Sequence, residues 1–588
     1  MKGNKNVTNL EIAELLRAVA ASYQLKDEKK NRFKIIAYQR VADAVEHATS
    51  ELKDLWDDGK LEELPGIGPS IAKHLDSLFR TGKSEHFDSV MEGLPPSMFE
   101  FMKVPGIGAK TGYRLAKELK LKNLKELKEA ARKGKIATLP GFGEESERDI
   151  IKGIEESKGK VRRLLLPYAT EVAQGILNWL SVNTLVKKVE PLGSLRRKAA
   201  TVGDIDIAVA TDKPKEVLKY FTEYPDAQRV IELGEATAGI VAAGGIHIDL
   251  MVQPPSSFGS LLQHFTGSKH HNIALREYAQ KKGLSLSEYG IKKDQKRYRF
   301  ATEEEFYGFL GLEWIPPELR EDQGEIEAAL NSKLPKLLEL SDVKGDFQIH
   351  SNFDIETSHD VGASSMEEIV KKAGELNYEY LAFTEHNPSK SGHSEGEIVD
   401  ILKRKAEAIE KLNYSILRTV KNSIKKVFNS LEIDILPDGR LPVSEKGLKT
   451  LDFALVSIHS SFRLPKEEMT KRVLSALAYP SVKIFAHPTG RKLNEREGAE
   501  LDWPKIFEFC LKNDKWLEIN ADPMRLDLPD VLVHEAVKSG VKLTLGTDAH
   551  HASALTNMRY GVSVARRGWA ESNDIVNTRS LQEFLKML

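Results

Sequence analysis

The stretch that decides the architecture is Gly193–Ala210, GSLRRKAATVGDIDIAVA, read together with Gly245–Val252, GIHIDLMV. Asp204 and Asp206 are two apart on an expected strand, so both carboxylates share one face while Ile205 and Ile207 take the other. Asp249 stands among apolar neighbours on a second expected strand. Three carboxylates converging on one sheet repel each other unless divalent cations lie between them. Two Mg²⁺ ions bridged by such carboxylates lower the pKa of an attacking hydroxyl and neutralise a leaving pyrophosphate. Gly193 and Ser194 precede an expected short helix and suit phosphate oxygens, with Arg196 or Arg197 adding charge. A surface strand explains a lone D-x-D. The same D-x-D about ten residues after G-S, followed by an isolated Asp on an apolar strand, points to nucleotidyl transfer.

Upstream, the chain repeats itself. LPGIGPSIAKHL (Leu64–Leu75), VPGIGAKTGYRL (Val104–Leu115) and LPGFGEESERDI (Leu139–Ile150) each read apolar-Pro-Gly-apolar-Gly and then helix. The glycine pairs Gly66/Gly68, Gly106/Gly108 and Gly141/Gly143 permit a tight turn and leave backbone N–H groups facing outward at a helix start. One copy is explained by a structural corner. Three copies resemble helix-hairpin-helix motifs, which grip DNA phosphates without reading sequence. From Phe101 to Arg163 there are 17 Lys+Arg against 9 Asp+Glu, a local basic excess suited to a phosphate backbone, although a solvated helix face would carry the same charge. The first 60 or so residues read as amphipathic helices.

Downstream of about residue 342, short apolar strands alternate with helices, and chelating residues stand at the strand ends, as in an α/β barrel or open α/β sheet. The first such strand is GDFQIHS, Gly345–Ser351, where Asp346, Gln348 and His350 share a face. His350, His359, His386, His459, His487 and His550 each fall near a strand end, with Asp360, Glu432, Asp434 and Asp548 beside them. Mixed imidazole and carboxylate donors suit Zn, Mn or Fe rather than Mg alone. Such a cluster activates water and stabilises a phosphodiester transition state.

The strings GSLRR, VGDIDI, HIDLMV and HFTGSKHHNIALREYA, after the helix-hairpin-helix segments, resemble the family X DNA polymerases, the group that includes DNA polymerase beta. The resemblance runs from about residue 1 to 317. It implies a multidomain chain: an α-helical eight-kilodalton-type domain with a helix-hairpin-helix over 1–85, helix-hairpin-helix fingers over 86–160, an α/β nucleotidyltransferase palm over 161–260 and a thumb over 261–318. By motif position, Asp204, Asp206 and Asp249 are the catalytic, Mg²⁺-binding carboxylates, with Asp249 nearest the primer 3′-hydroxyl. Gly193, Ser194 and Arg197 hold the triphosphate, Phe265 and Gly267 pack on the incoming sugar, Asn272 meets the base edge and Arg276 the template. TEH, LEIDIL, SIHSSF, AHPTGR and TDAHH, within 342–588, resemble the PHP domain (polymerase and histidinol phosphatase), a distorted barrel of (β/α)7 type with a trinuclear Mn²⁺ or Zn²⁺ site. The matching set is Gln348, His350, Asp360, His386, Glu432, His459, His487, Asp548 and His550. In family X polymerases that carry it, this domain is a 3′–5′ exonuclease that also cuts at abasic sites. Residues 319–341 read as a polar helical linker.

The chain departs from both patterns. The first His of H-x-H is Gln348, the TDH motif reads TEH, and a stretched HSNFDIETSHDVG leaves the third ligand open between Asp354 and Asp360, with Asp360 favoured because Gly362 follows closely. An amide oxygen binds a soft ion more weakly than imidazole, so one metal position is expected to fill poorly. His264 stands where beta-like enzymes carry Tyr, which predicts looser sugar discrimination. The lyase lysine of the family aligns with His74, and Lys73 is one position off. A Schiff base needs an amine, so weak or absent lyase activity is expected.

With 588 residues, 41% hydrophobic and 29% charged, the composition is that of a soluble multidomain protein. No apolar run approaches a membrane span. The single cysteine, Cys510, excludes an internal disulfide framework and fits a reducing cytosol, and the resemblance to DNA polymerases implies a cytoplasmic, nucleoid-associated setting. The expectation is a monomeric repair enzyme that takes gapped or primed DNA and deoxynucleoside triphosphates and works alongside other repair proteins. One alternative keeps the polymerase and makes the PHP domain a scaffold. The other, a small-molecule phosphoesterase fused to a nucleotidyltransferase, leaves three phosphate-backbone grips without a use.

Overall fold

A computed structural model describes residues 9–46, 52–57, 59, 61–63, 66–102, 104, 107–143, 147–148, 150–151, 163–242, 245–416 and 423–588. These divide into two compact units: Met1–Ile176 with Lys219–Gly234 and Ala238–Asp249, and Leu177–Leu218 with Glu235–Thr237 and Leu250–Leu588.

The first unit opens on two helices, Asn9–Asp27 and Arg32–Glu46. Their apolar stripes (Ile12, Leu16, Val19; Tyr38, Val41, Val45) bury against Leu75 and Leu78 of the helix Pro69–Thr81. That helix is set up by its termini: Pro69 stands in the first turn, where its missing N–H costs nothing, and Gly82 closes the end at φ 74°. A second helical cluster packs Phe101, Val104, Leu115 and Leu127 around Ala109–Glu118 and Leu124–Arg132. Strand Ala227–Leu233 pairs antiparallel with Thr237–Ala242.

In the second unit, Lys188–Pro191 pairs antiparallel with Ile205–Ala210. Asp206 is the second residue of the latter strand, and Asp204 lies in the bend just before it rather than on it. Helices Phe258–Thr266, Lys269–Gln280 and Glu303–Leu310 follow, with a three-stranded antiparallel sheet. The last of these helices starts at a capping box made by Thr302 and Glu305.

Residues 319–341, expected as a polar helical linker, are α-helical over Glu325–Leu330 with a 3₁₀ turn at Leu340–Asp342, and are packed only in part, residues 330–333 being exposed. Arg320 and Glu325 are fully buried, and Ala329 and Leu337 join Phe306 and Leu310. The polar residues of this segment are neutralised from afar: Glu303 receives Arg320 at 2.6 Å, and His271 meets Glu325 at 2.6 Å. Buried charge is tolerated here because each group has its partner.

From residue 345 seven parallel strands form a barrel: Gly345–Asp346, Tyr380–Phe383, Lys426–Asn429 continuing into Glu432–Asp434, Ala454–Ser457, Val482–Phe485, Trp516–Asn520 and Leu543–Gly546. The ring closes between first and last strands, where Ile349 bridges Ala549 and the Asp548 N–H donates to the Gln348 carbonyl at 2.9 Å. Helices cover the outside, as parallel strands require. Phe347, Tyr380, Phe428, Phe453, Trp516 and Phe584 form an aromatic cluster. The alternating residues Asp346, Gln348 and His350 are also buried, and turn to the polar end. All strands being parallel, their C-terminal ends gather at one mouth.

Candidate active sites

At that mouth the strand ends deliver the chelating residues. Glu432 begins its strand and is fully buried. Its Oε1 receives His487 Nε2 at 2.8 Å and stands 3.2 Å from His459 Nε2. Its Oε2 is 3.3 Å from His350 Nε2 and 3.6 Å from His386 Nδ1. His350 Nε2 is also 3.1 Å from Asp548. Among the described residues, four groups have ligand atoms within 4.8 Å of one another: His350/His386/His550, His359/His386/His459, Glu432/His459/His487 and His350/Glu432/Asp548. His487 and Asp548 occupy left-handed backbone at φ 28° and 54°, a strained geometry that aims both side chains inward just past their strands.

The donor set fits divalent ions on two observations. Both ring nitrogens of His350, Nδ1 of His386 and Nε2 of His550 are buried without hydrogen-bond partners among the described residues. A buried polar atom without a partner is costly unless something else binds it. The charges also concentrate without cancelling. Burial alone would lower the His350 imidazole, yet Asp548 and Glu432 push it up to about 10. Burial likewise opposes the His459 shift, and Asp434 and Glu432 carry it up to about 9. A divalent cation in place of those protons supplies the same positive charge.

Asp360 is half exposed at the rim, 3.9 Å from both His386 and His550, whereas Asp354 is exposed and accepts the Glu356 N–H. Gly362 lies where an added Cβ would meet the His350 carbonyl at 2.1 Å, so the stretched loop returns to the site at that glycine. Gln348 is inside the cluster with its amide nitrogen toward Glu432. Asp346 is one layer below. It accepts from Thr547 Oγ1 at 2.5 Å and from the Gln348 N–H at 3.2 Å, and burial pushes its carboxyl up to about 7.

Several groups beyond the expected ligands belong to this site. Asp434 bridges His359 Nε2 (2.8 Å) and His459 Nδ1 (2.7 Å). The Arg525 guanidinium is buried 3.6 Å from Asp548. Glu518 is fully buried, and burial raises its pKa well above the ordinary carboxyl value. It accepts from the His487 N–H at 2.7 Å, and an added Cβ on Gly546 would meet it at 2.1 Å. Glu385 of TEH accepts from Ser351 at 2.6 Å and pairs with buried Lys405 at 2.6 Å. His359 and Asp434 carried a sequence signal, since both stand near strand ends. Arg525 and Glu518 carried none, because a cation and a strand-interior carboxylate are not expected among ligands.

In the amino-terminal half, Asp206 and Asp249 each lie against a glycine. A Cβ on Gly193 would be 2.8 Å from Asp206 Oδ2, and one on Gly239 would be 2.7 Å from Asp249 Oδ1. Each carboxylate therefore needs its bare backbone neighbour. Asp206 belongs to the second unit and Asp249 to the first. Asp204 is exposed. Ser194 follows Gly193 in the short helix Gly193–Arg196. Arg197 donates to Glu321 and to the Thr266 carbonyl. Gly267 is buried at φ 67° beside Arg197, and Phe265 packs edge-on to His264 at 4.8 Å. Asn272 is held by Gln263 and the His264 carbonyl, and Arg276 is exposed. Gly66, Gly68, Gly108, Gly141 and Gly143 are all exposed, and a Cβ on Gly68, Gly108 or Gly143 would meet nothing within 4 Å among the described residues. Gly106 lies outside the described residues. No helix among the described residues is long and apolar enough to cross a membrane.

Comparison with known proteins gives the family. Residues 7–84 match a helix-hairpin-helix domain, 99–156 a SAM-like helix-hairpin-helix tandem and 261–321 the DNA polymerase beta thumb. The chain is 35% identical over 583 residues to the DNA polymerase/3′–5′ exonuclease PolX of Bacillus subtilis (strain 168), covering 98% of this chain and 99% of that one. It is 22% identical to DNA polymerase lambda of Rattus norvegicus over 53% of this chain and 56% of the relative. It is 26% identical to a probable phosphatase of Acetivibrio thermocellus over 32% of this chain and 73% of the relative. The chain belongs to the PolX family of DNA polymerases, which joins a polymerase of the beta type to a metal-dependent phosphoesterase barrel.

Proposed function

We propose that this PolX polymerase fills short gaps in damaged DNA with its amino-terminal half and trims 3′ ends, or cuts at abasic lesions, with its barrel. The observation that carries the second activity is the gathering of His350, His386, His459, His487, His550, Glu432 and Asp548 at one barrel mouth. The assigned modules are a helical domain over 1–85, fingers over 86–160, palm over 161–260, thumb over 261–318, a packed connection over 319–341 and the barrel over 342–588.

In the polymerase, Asp204, Asp206 and Asp249 would hold Mg²⁺, a hard ion suited to carboxylate oxygens. The histidine-rich barrel would hold Mn²⁺ or Zn²⁺. Bound there, such ions activate the attacking oxygen and offset charge on phosphorus. The chain's own residues do the rest. Gly193, Ser194 and Arg197 bind the triphosphate. Phe265 and Gly267 take the sugar, Asn272 the base edge and Arg276 the template strand. The glycine pairs Gly66/Gly68, Gly106/Gly108 and Gly141/Gly143 would take DNA phosphates from backbone N–H groups. Asp434 holds the His359 and His459 imidazoles in orientation, and Asp346 fixes the backbone at Gln348.

A second reading makes the barrel a scaffold. It is supported by the Gln348 amide and by the Arg525 cation beside Asp548. One experiment decides. Asp204→Ala with Asp206→Ala should abolish gap filling and spare 3′ trimming. His386→Ala or Asp548→Ala, assayed with Mn²⁺, should do the reverse. Trimming by the barrel variants at the wild-type rate would establish the scaffold.

A further inference from the structure

Arg197, assigned above to the triphosphate, is surrounded by groups that fix its guanidinium. Nε donates to Glu321 Oε1 at 2.9 Å, and Nη1 donates to the Thr266 carbonyl at 2.5 Å. Nη2 makes no protein hydrogen bond among the described residues. Gly267 leaves the space for this arrangement, since a Cβ there would approach Nη1 to 3.1 Å.

The same Glu321 oxygen is shared with the barrel. Arg567, the last residue of the helix Met558–Arg567, donates from Nη1 to Glu321 Oε1 at 3.0 Å and to the backbone carbonyl of Arg197 at 2.8 Å. Its Nε and Nη2 are tied to Asp530 at 2.7 and 2.5 Å. Its side chain is 9% exposed. The next residue after Arg197 is Lys198, in left-handed backbone at φ 55°, so the chain turns sharply at the point that Arg567 grips.

A guanidinium keeps its charge in any protein environment, so what varies at Arg197 is where it points. Two arginines on one carboxylate oxygen divide that oxygen's attraction. Glu321 therefore holds Arg197 by Nε without capturing the whole fork. The planar fork then projects Nη2 at a fixed angle, ready for a phosphate oxygen. Without Arg567 the turn at Arg197 loses its carbonyl anchor, and Glu321 is left to draw the whole guanidinium to itself.

We propose that Arg567, carried by the barrel, is a positioning residue for the polymerase, orienting Arg197 toward the triphosphate through its backbone carbonyl and through shared Glu321. The inference rests on the assignment of Arg197 to the triphosphate. It makes nucleotide affinity of the polymerase depend on a side chain of the nuclease half, with no shared ligand or metal.

The test is single-nucleotide gap filling by the full-length protein. Arg567→Gln should raise KM for the nucleotide about tenfold while kcat stays within about twofold, because only binding geometry is lost. Its nuclease rate, read below its thermal midpoint, should match wild type, while the midpoint itself should fall because Asp530 and Glu321 lose a buried partner. Arg567→Lys, which keeps one donor but not the fork, should give an intermediate KM. In an Arg197→Gln background, Arg567→Gln should add nothing, since it acts through Arg197. A wild-type KM for Arg567→Gln beside a raised KM for Arg197→Gln overturns the inference, as does a double variant whose KM is the product of the two single effects. If Arg567→Gln fails to fold, Arg567→Lys decides, and a wild-type KM there overturns it. A wild-type KM for Arg197→Gln removes the triphosphate assignment, and the inference falls with it.

Discussion

Gln348 donates from Nε2 to Glu432 Oε2 at 2.9 Å, and its Oε1 accepts from Asn520 Nδ2 at 3.1 Å. Glu432 is an ionised carboxylate: burial opposes ionisation, but His386 and His487 hold it well below the usual range. It can only accept, so the amide nitrogen must face it. Each end of the amide thus already has a partner within the protein. Arg525, 3.6 Å from Asp548, already supplies positive charge at that corner. The corner formed by Gln348, His350 and Asp548 is therefore expected to bind its ion weakly. Metal analysis of purified protein should find about one ion fewer per chain than in Gln348→His, and the variant should need less added Mn²⁺ for trimming. Three tightly held ions in the wild type would contradict this.

Asp434 was not among the expected ligands, yet it fixes two imidazoles at once. Asp434→Asn keeps the volume and removes the charge that His359 and His459 meet at 2.8 and 2.7 Å. Losing such an orienting carboxylate is expected to weaken Mn²⁺ activation of the nuclease about 10- to 100-fold. Gap filling should be unchanged. A Mn²⁺ titration of both activities on one preparation checks this, and equal midpoints for variant and wild type would count against it.

Much of the barrel site was legible because strand periodicity is local. Asp346, Gln348 and His350 alternate with Phe347 and Ile349, and His459, His487 and Asp548 each stand two residues past an apolar strand. What was not legible depends on partners far along the chain. His359 lies in an irregular loop and finds Asp434 75 residues later. Residues 319–341 looked like a solvated linker because Arg320 and Glu325 are charged. Their burial follows only from Glu303 and His271, which no period connects to them. Arg525 and Glu518 break the rule that like gathers with like, and a pattern of ligands cannot announce a cation.

At the first helix-hairpin-helix, His74 stacks face to face on His86 at 3.9 Å, and His86 meets the Tyr23 hydroxyl at 3.0 Å. Burial, with His86 and Lys73 nearby, lowers the His74 pKa. Lys73, the adjacent amine, is exposed on another side of the helix. An imidazole forms no stable Schiff base with a sugar aldehyde. Borohydride reduction with a 5′-deoxyribose-phosphate substrate should leave no crosslink above background. A strong crosslink that disappears in Lys73→Ala would show that the exposed amine reaches the sugar after all.

The thumb should show its own acid response, because Glu303 is buried between Arg196 Nη2 at 2.8 Å and Arg320 Nη1 at 2.6 Å. Burial alone would raise its pKa, but the two guanidiniums bring it down to about 2. A folded-state pKa below the unfolded value stabilises the protein at pH above the unfolded value, and that stabilisation is lost as pH falls through the folded one. The window is therefore from about 4.5, the ordinary glutamate value, down to about 2. The drop corresponds to about 3 kcal/mol at neutral pH. Glu303→Gln mimics the protonated acid and should be less stable by about that amount at pH 7. The gap should hold down to about pH 5 and shrink to about 2 kcal/mol near pH 3.5, because protonation of the wild type then makes the two alike. Denaturant midpoints of the two proteins, measured in parallel from pH 7 to 3, check both the size and the direction. A difference that stays constant across that range would mean the carboxylate's charge is not what holds Arg196 and Arg320 in place.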